Sequence, residues 1–139
     1  MKIVGFNFNK ISVKKDDKVR PKELKMNTNM EIEDLTQTNS DLFKSKEELL
    51  VISFKYDIKY EPDFAKVSFK GKVIVSIEPK ESKQILKQWK KKEIPEEFRM
   101  AIFNVILNKA NVKALQLEEE LNLPFHVPMP TLRPQEKEK

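Results

Sequence analysis

From Leu50 to Tyr60 the chain places Leu50, Ile52, Phe54, Tyr56, Ile58 and Tyr60 at every second position, with Val51, Ser53, Lys55, Asp57 and Lys59 between them. Alternation at period two sends successive side chains to opposite faces of a strand. The run therefore predicts a β-strand with one buried and one wet face. Glu61-Pro62-Asp63 supplies a turn, and the pattern resumes with Ala65, Val67, Phe69, Val73, Val75 and Ile77. The two runs predict a long antiparallel hairpin. Gly71 stands where the next apolar residue belongs, which marks a bulge or a close backbone approach.

Upstream, Val4, Phe6 and Phe8 alternate, but Ile11 and Val13 continue on the opposite parity. A bulge or bend near Asn9 reconciles them. A charged connection from Lys14 to Glu23 follows, and Leu24, Met26, Met30 and Ile32 resume an even-numbered stripe. Thr36 to Lys46 is polar and predicts a loop. The first half thus predicts four long strands in one antiparallel sheet.

The second half changes period. Pro79 ends the strand pattern, and Glu81 to Lys92 predicts a short helix carrying Ile85, Leu86 and Trp89. Ile94-Pro95-Glu96-Glu97 puts proline and acids in a first helical turn. No glycine or proline follows until after Leu121, so one long helix is expected. Phe103, Leu107, Ala110, Ala114, Leu117 and Leu121 form one apolar stripe on it. Phe98, Ile102, Val105, Ile106, Val112 and Leu115 widen that stripe beyond what a surface helix buries against one wall. The excess predicts a second copy, hence a homo-oligomer.

Composition limits the chemistry. At 139 residues, 39% hydrophobic and 35% charged, the chain has the size of one globular domain with a charged surface. It has no cysteine, which removes disulfides, thiol nucleophiles and thiolate metal sites together. The apolar run at the start is too short for a signal peptide, and no stretch reaches transmembrane length, so a cytoplasmic location is the default expectation. The net charge of +5 attracts phosphates, yet arginine is limited to Arg20, Arg99 and Arg133. Bidentate recognition favours arginine, so a basic nucleic-acid-associated protein is the alternative function and not the leading one. The basic run Lys87 to Lys92 reads as a solvated helix face.

Catalysis finds no pattern. Gly5 and Gly71 are the only glycines, so there is no phosphate-cradling loop. Glu118, Glu119 and Glu120 fan around a helix and read as a solvated face. His126, the only histidine, sits between Phe125 and Val127 inside the proline-rich strap LNLPFHVPMP, Leu121 to Pro130, and reads as a packing or hydrogen-bonding residue. The expectation is no enzyme, no cofactor and no metal site. Apolar surface remains. Methionine and aromatic side chains repack easily around varied partners, which singles out Phe6, Phe8, Met26, Met30, Phe98, Met100, Phe125 and Met129.

The order of elements, together with Phe8-Asn9-Lys10-Ile11-Ser12-Val13, Asn27-Thr28-Asn29-Met30-Glu31-Ile32, Ile94-Pro95-Glu96-Glu97-Phe98-Arg99 and Leu121-Asn122-Leu123-Pro124, resembles the SecB family of protein-export chaperones over roughly residues 3 to 132. The resemblance implies an α+β fold in one domain over residues 1–132, followed by a charged, disordered tail over 133–139. It implies a homotetramer, a dimer of dimers with the helices sandwiched between outer sheets. It further implies a holdase that keeps non-native polypeptides in apolar grooves without nucleotide hydrolysis. Carried onto this chain, the client-binding residues are Met26, Met30, Ile32, Phe98, Ile102, Leu123, Phe125, Val127 and Met129. Two departures stand out. Family members dock an export motor through acidic outer sheets, whereas Lys55, Lys59, Lys66, Lys70 and Lys72 make the polar faces here basic. The tail from Arg133 shows no counterpart of the family's terminal helix. Both favour a holdase for another unstable client, such as an antitoxin, over a dedicated export factor.

Overall fold

The computed structural model describes residues 1–19, 22–38 and 47–134. Arg20, residues 39–46 of the polar loop expected over Thr36 to Lys46, and residues 135–139 of the expected tail lie outside the described residues. Four strands form one antiparallel sheet: β1 (Lys2–Lys15), β2 (Lys25–Thr38), β3 (Glu48–Glu61) and β4 (Ala65–Ile77). Helices α1 (Pro79–Trp89) and α2 (Glu96–Glu120) follow.

The strand order is β1-β4-β3-β2. The hairpin predicted from period two is the centre of the sheet, with Tyr60 opposite Ala65, Tyr56 opposite Phe69, Phe54 opposite Gly71 and Leu50 opposite Val75. Being central, β3 and β4 bury their whole inner face, from Leu50 to Tyr60 and from Val67 to Ile77. Each fully buried aliphatic or aromatic side chain of this kind stabilises by roughly 1.5–3 kcal/mol. β1 and β2 are the two edges, so the connection between them crosses one end of the sheet. Asp16 N–H donates to Phe64 O at 2.8 Å there, pinning the crossover to the β3–β4 turn.

Two sequence irregularities have structural causes. The parity switch in β1 is a register shift between Phe8 and Lys10, with a second shift between Ile3 and Gly5. Gly71 lies between Phe8 on one neighbour and Phe54 on the other. A Cβ there would meet the Phe54 ring at 2.8 Å and collide with the Asn7 carbonyl. The missing side chain leaves room for an aromatic cluster: Phe6 stacks on Phe54 at 5.4 Å between centroids and Phe8 leans on Phe69 at 5.3 Å.

Several boundaries differ from the sequence reading. β2 continues through Thr38, because Leu35 is buried opposite Ile52 and Thr36 to Thr38 pair with Val51 to Leu49. α1 begins at Pro79, whose fixed φ suits a first helical turn, and ends at Trp89. Lys92 then adopts φ 60 and sets its ammonium 4.5 Å over the Trp89 ring. The seat of α2 is also different. The residues it buries are Phe98, Ile102, Ile106, Ala110, Ala114 and Glu118, spaced by four, and this line mixes members of both predicted stripes.

Candidate functional site: an apolar margin held open by a latched strap

α2 ends in a tight reversal. Asn122 takes a left-handed conformation, φ 54, which asparagine tolerates better than most residues. Its N–H donates to Glu119 O and the Leu123 N–H donates to Glu118 O, the paired bonds of a Schellman cap. Leu123 is buried at the turn. The strap is thereby thrown back along the last turns of α2.

The strap is anchored at four further points. Lys15 Nζ donates to Leu121 O at 2.8 Å and Tyr60 Oη lies 2.7 Å from Pro124 O. Lys15, Ala65, Tyr60 and Met26 form one row across the sheet, so the strap crosses from the β1 side towards β2. The remaining two anchors are polar and buried. His126 Nδ1 lies 2.8 and 2.9 Å from the two carboxylate oxygens of Glu118, and its Nε2 lies 2.8 Å from Asn111 Oδ1. Tyr56 Oη donates to that same Asn111 oxygen at 3.2 Å.

Glu118 corrects the sequence reading most sharply. It is not part of a solvated face: its side chain is 0% exposed, against 2% for the His126 ring. Glu119 and Glu120 do face solvent. A buried carboxylate is costly without partners. This one has Tyr60 Oη at 2.5 Å, the His126 ring, and the His126 backbone N–H at 3.3 Å. The histidine is accordingly a packing and hydrogen-bonding residue, with one ring nitrogen on the Glu118 carboxylate and the other on Asn111. Tyr60 has a single phenolic proton for two acceptors, Glu118 and Pro124 O, so the carboxylate and the strap share one donor.

The same network perturbs both phenols. Burial pushes Tyr56 up to about 12, with the Glu118 charge adding to it. Tyr60 is raised as well, first by burial, then by its hydrogen bond to Glu118 and by the charges of Glu118 and Tyr56. The folded chain therefore keeps protons that the unfolded chain, with tyrosines near 10, gives up. The stability this confers is complete below about pH 10 and is lost as pH rises through the folded values. Between pH 10 and 12 each tyrosine is expected to lower the unfolding free energy by up to about 1.4 kcal/mol per pH unit. Urea unfolding across that range should show a shallower fall in Tyr56→Phe. An unchanged slope in that variant would contradict the assignment.

Against this frame the nine residues expected to touch clients separate into two groups. Phe98, Ile102 and Leu123 are core: they seat α2 and the cap, and present no surface in this conformation. Met26 and Phe125, each 39% exposed, and Met129 at 48% are open, while Met30, Ile32 and Val127 are half-buried. Met26, Met30 and Ile32 stand opposite Tyr60, Tyr56 and Phe54, on the inner face at the β2 edge. The strap arrives at Tyr60, so both groups converge on the same side of α2. On the opposite edge, Ile3 and Ile11 of β1 are exposed beside Phe6 and Phe8. The sequence reading missed Ile3 and Ile11. Their signal was the alternation with Phe6 and Phe8, interrupted by the two bulges.

Among the described residues no group of three or more histidine, cysteine or acidic side chains is placed to hold a metal ion. No helix among them is long and apolar enough to cross a membrane.

An antiparallel sheet in the order β1-β4-β3-β2, with its two helices following in sequence, is a SecB-like α+β fold. No family model matches the chain and no curated protein matches it in sequence. Among solved structures it is similar to the Mycobacterium tuberculosis SecB-like chaperone Rv1957, solved in complex with a ChAD peptide from the Rv1956 HigA1 antitoxin. The likeness covers 96% of this chain and 92% of that one, with a TM-score of 0.53 and 14% identity.

Proposed function

We propose that the protein is an ATP-independent holdase that keeps non-native polypeptides from aggregating by covering their apolar segments. One observation carries the reading: in a SecB-like fold, the β2 margin and the strap leave Met26, Phe125 and Met129 exposed beside a rigidly latched core. Pro124, Pro128 and Pro130 keep the strap from adding to a sheet edge, so it offers side chains rather than backbone donors. Contact of this kind is non-directional, and broad client range follows from it. The proposed role is non-enzymatic and cytoplasmic. Its partner is an unstable client such as an antitoxin rather than an export motor, in keeping with the basic outer sheet.

The reading includes assembly through α2. Ala101, Val105, Asn108, Val112 and Leu115 follow one another at spacings of four, three, four and three, the repeat of a helix–helix seam. Ala101, Val105 and Leu115 are half-buried, Asn108 is exposed and Val112 is 61% exposed, so the seam points away from the sheet. A second copy covers it most economically, as in a dimer or a dimer of dimers.

A client denatured by heat or dilution tests the function. Light scattering is expected to fall as the protein approaches equimolar ratio, with no nucleotide present. Unchanged scattering at every ratio would overturn the holdase. Sedimentation at micromolar concentration is expected to give an oligomer, and a monomer would remove the assembly.

A further inference from the structure

The outer face of the sheet carries a field of lysines that the fold itself does not neutralise. Lys14, Lys66 and Lys59 stand directly opposite one another on β1, β4 and β3, and Lys10, Lys70 and Lys55 form a parallel row four residues away. Between the rows lie Ser12, Ser68 and Asp57. Like charges placed opposite each other on neighbouring strands destabilise a sheet. Acids pair directly with only one end, while Asp16, Glu61 and Asp63 border the Lys14, Lys59 and Lys66 end without forming an ion pair with any of the three. Asp57 is buried, accepts from Ser68 Oγ at 2.6 Å and lies 3.7 Å from Lys55 Nζ, while Glu33 lies 3.6 Å from Lys70 Nζ. Among the described residues, Lys10, Lys14, Lys59 and Lys66 have no carboxylate within 4.0 Å, and all four are exposed.

We propose that this face is a docking surface for an acidic polypeptide segment, centred on Lys14, Lys59 and Lys66. Charge complementarity identifies the partner, and the chemistry of the face selects a polypeptide over a nucleic acid. Every described base on it is a lysine, a point charge without the planar fork that reads phosphates and bases bidentately. Period two turns Phe54, Tyr56, Tyr60 and Phe69 inward. The rings at the margins, Phe64 beside the Lys14 row and Trp89 beside Lys55 and Lys70, are half-buried. No open row of rings on which bases stack therefore lies between the lysines. It is also a sheet surface flush with its neighbours, with no helix or ribbon to enter a groove. Carboxylates on an extended or helical segment need only approach the lysine rows. The surface lies on the opposite side of the sheet from the strap, so an acidic segment and an apolar client can be held together. The inference stands whether or not the holdase reading does.

The test compares two triple variants of equal net charge in the full-length protein. Lys14→Ser/Lys59→Ser/Lys66→Ser and the control Lys80→Ser/Lys83→Ser/Lys87→Ser, on α1, each lower the formal charge from +5 to +2. The probes are a fluorescent decaglutamate peptide and an oligothymidylate of equal charge, titrated by anisotropy at low and at physiological salt, with circular dichroism to check folding. Decaglutamate is expected to bind the unaltered protein at low salt, to weaken with salt, and to lose about tenfold in affinity in the sheet variant but not in the α1 control. Equal losses in both variants would reduce the effect to net charge and overturn the site. Tighter binding of the oligothymidylate than of the peptide, abolished by the sheet variant, would overturn the polypeptide in favour of nucleic acid. A sheet variant that fails to fold is replaced by Lys14→Gln/Lys59→Gln/Lys66→Gln, for which the same loss is expected.

Discussion

Replacing Glu118 by alanine is expected to cost roughly 3–5 kcal/mol, a large share of the stability of a domain this size. The side chain sits at 0% exposure and accepts from the Tyr60 phenol, the His126 ring and the His126 backbone N–H. Alanine removes all three acceptor contacts at once, in a place water does not reach. The His126 ring and backbone N–H lose this partner without regaining solvation, and that asymmetry makes a buried deletion expensive. One anchor of the strap would also fail, the contact of His126 with Glu118, while Tyr60 keeps Pro124 O as its acceptor. Urea unfolding should therefore show a lower midpoint, and limited proteolysis should cut within residues 124–134 before the rest of the chain. Glu118→Gln keeps the volume and one acceptor oxygen and should lose less. A cost under about 1 kcal/mol for Glu118→Ala would mean that the network is not what closes this end of the molecule.

The second large effect concerns Phe125 and Met129. Both protrude from the strap, so Phe125→Ser/Met129→Ser should change folding stability little and leave the oligomer intact. Covering two such side chains with a client contributes on the order of 1–2 kcal/mol each. The pair of substitutions is expected to weaken capture of an unfolded client by roughly thirty- to several-hundredfold, read as the protein ratio needed to suppress its aggregation. Loss of assembly or of folding in this variant would instead assign the two residues to the core. Full capture by a folded, assembled variant would remove the strap from the client site.

The strap is thus anchored at its root and apolar at its tip. Leu123 and His126 face inward and fix the backbone, whereas Phe125 and Met129 stay out. Prolines between them limit the conformations lost when a client binds, which keeps more of the burial energy as affinity.

What the sequence disclosed followed local physics. The period of two from Leu50 to Ile77, the glycine that interrupts it and the parity switch at Asn9 are readable because strand geometry imposes them residue by residue. Strand order is not local: nothing in β1 or β2 says which edge of the hairpin each takes. α2 is apolar around most of its circumference, so periodicity left the sheet-facing line unresolved. Phe98 and Ile102 entered the expected client site for that reason, although the spacing-of-four line buries them. Glu118 was misread because the partners that justify burying it, Tyr60 and His126, lie 58 and 8 residues away. One signal was present and unused. Asn122 between two leucines, just before a proline, has the composition of a left-handed helix cap with a buried leucine beyond it.

The methionines provide the most direct test of the central claim, that clients lie against the β2 margin and the strap. Met26, Met30 and Met129 belong to that surface, while Met100 projects from α2 elsewhere and Met1 lies near Ile85 and Phe98. With methyl-labelled methionine, adding a permanently unfolded client should shift or broaden the Met26, Met30 and Met129 resonances and leave Met1 and Met100 in place. Binding of the client with those three methyls unmoved, or with Met100 alone responding, would contradict the account.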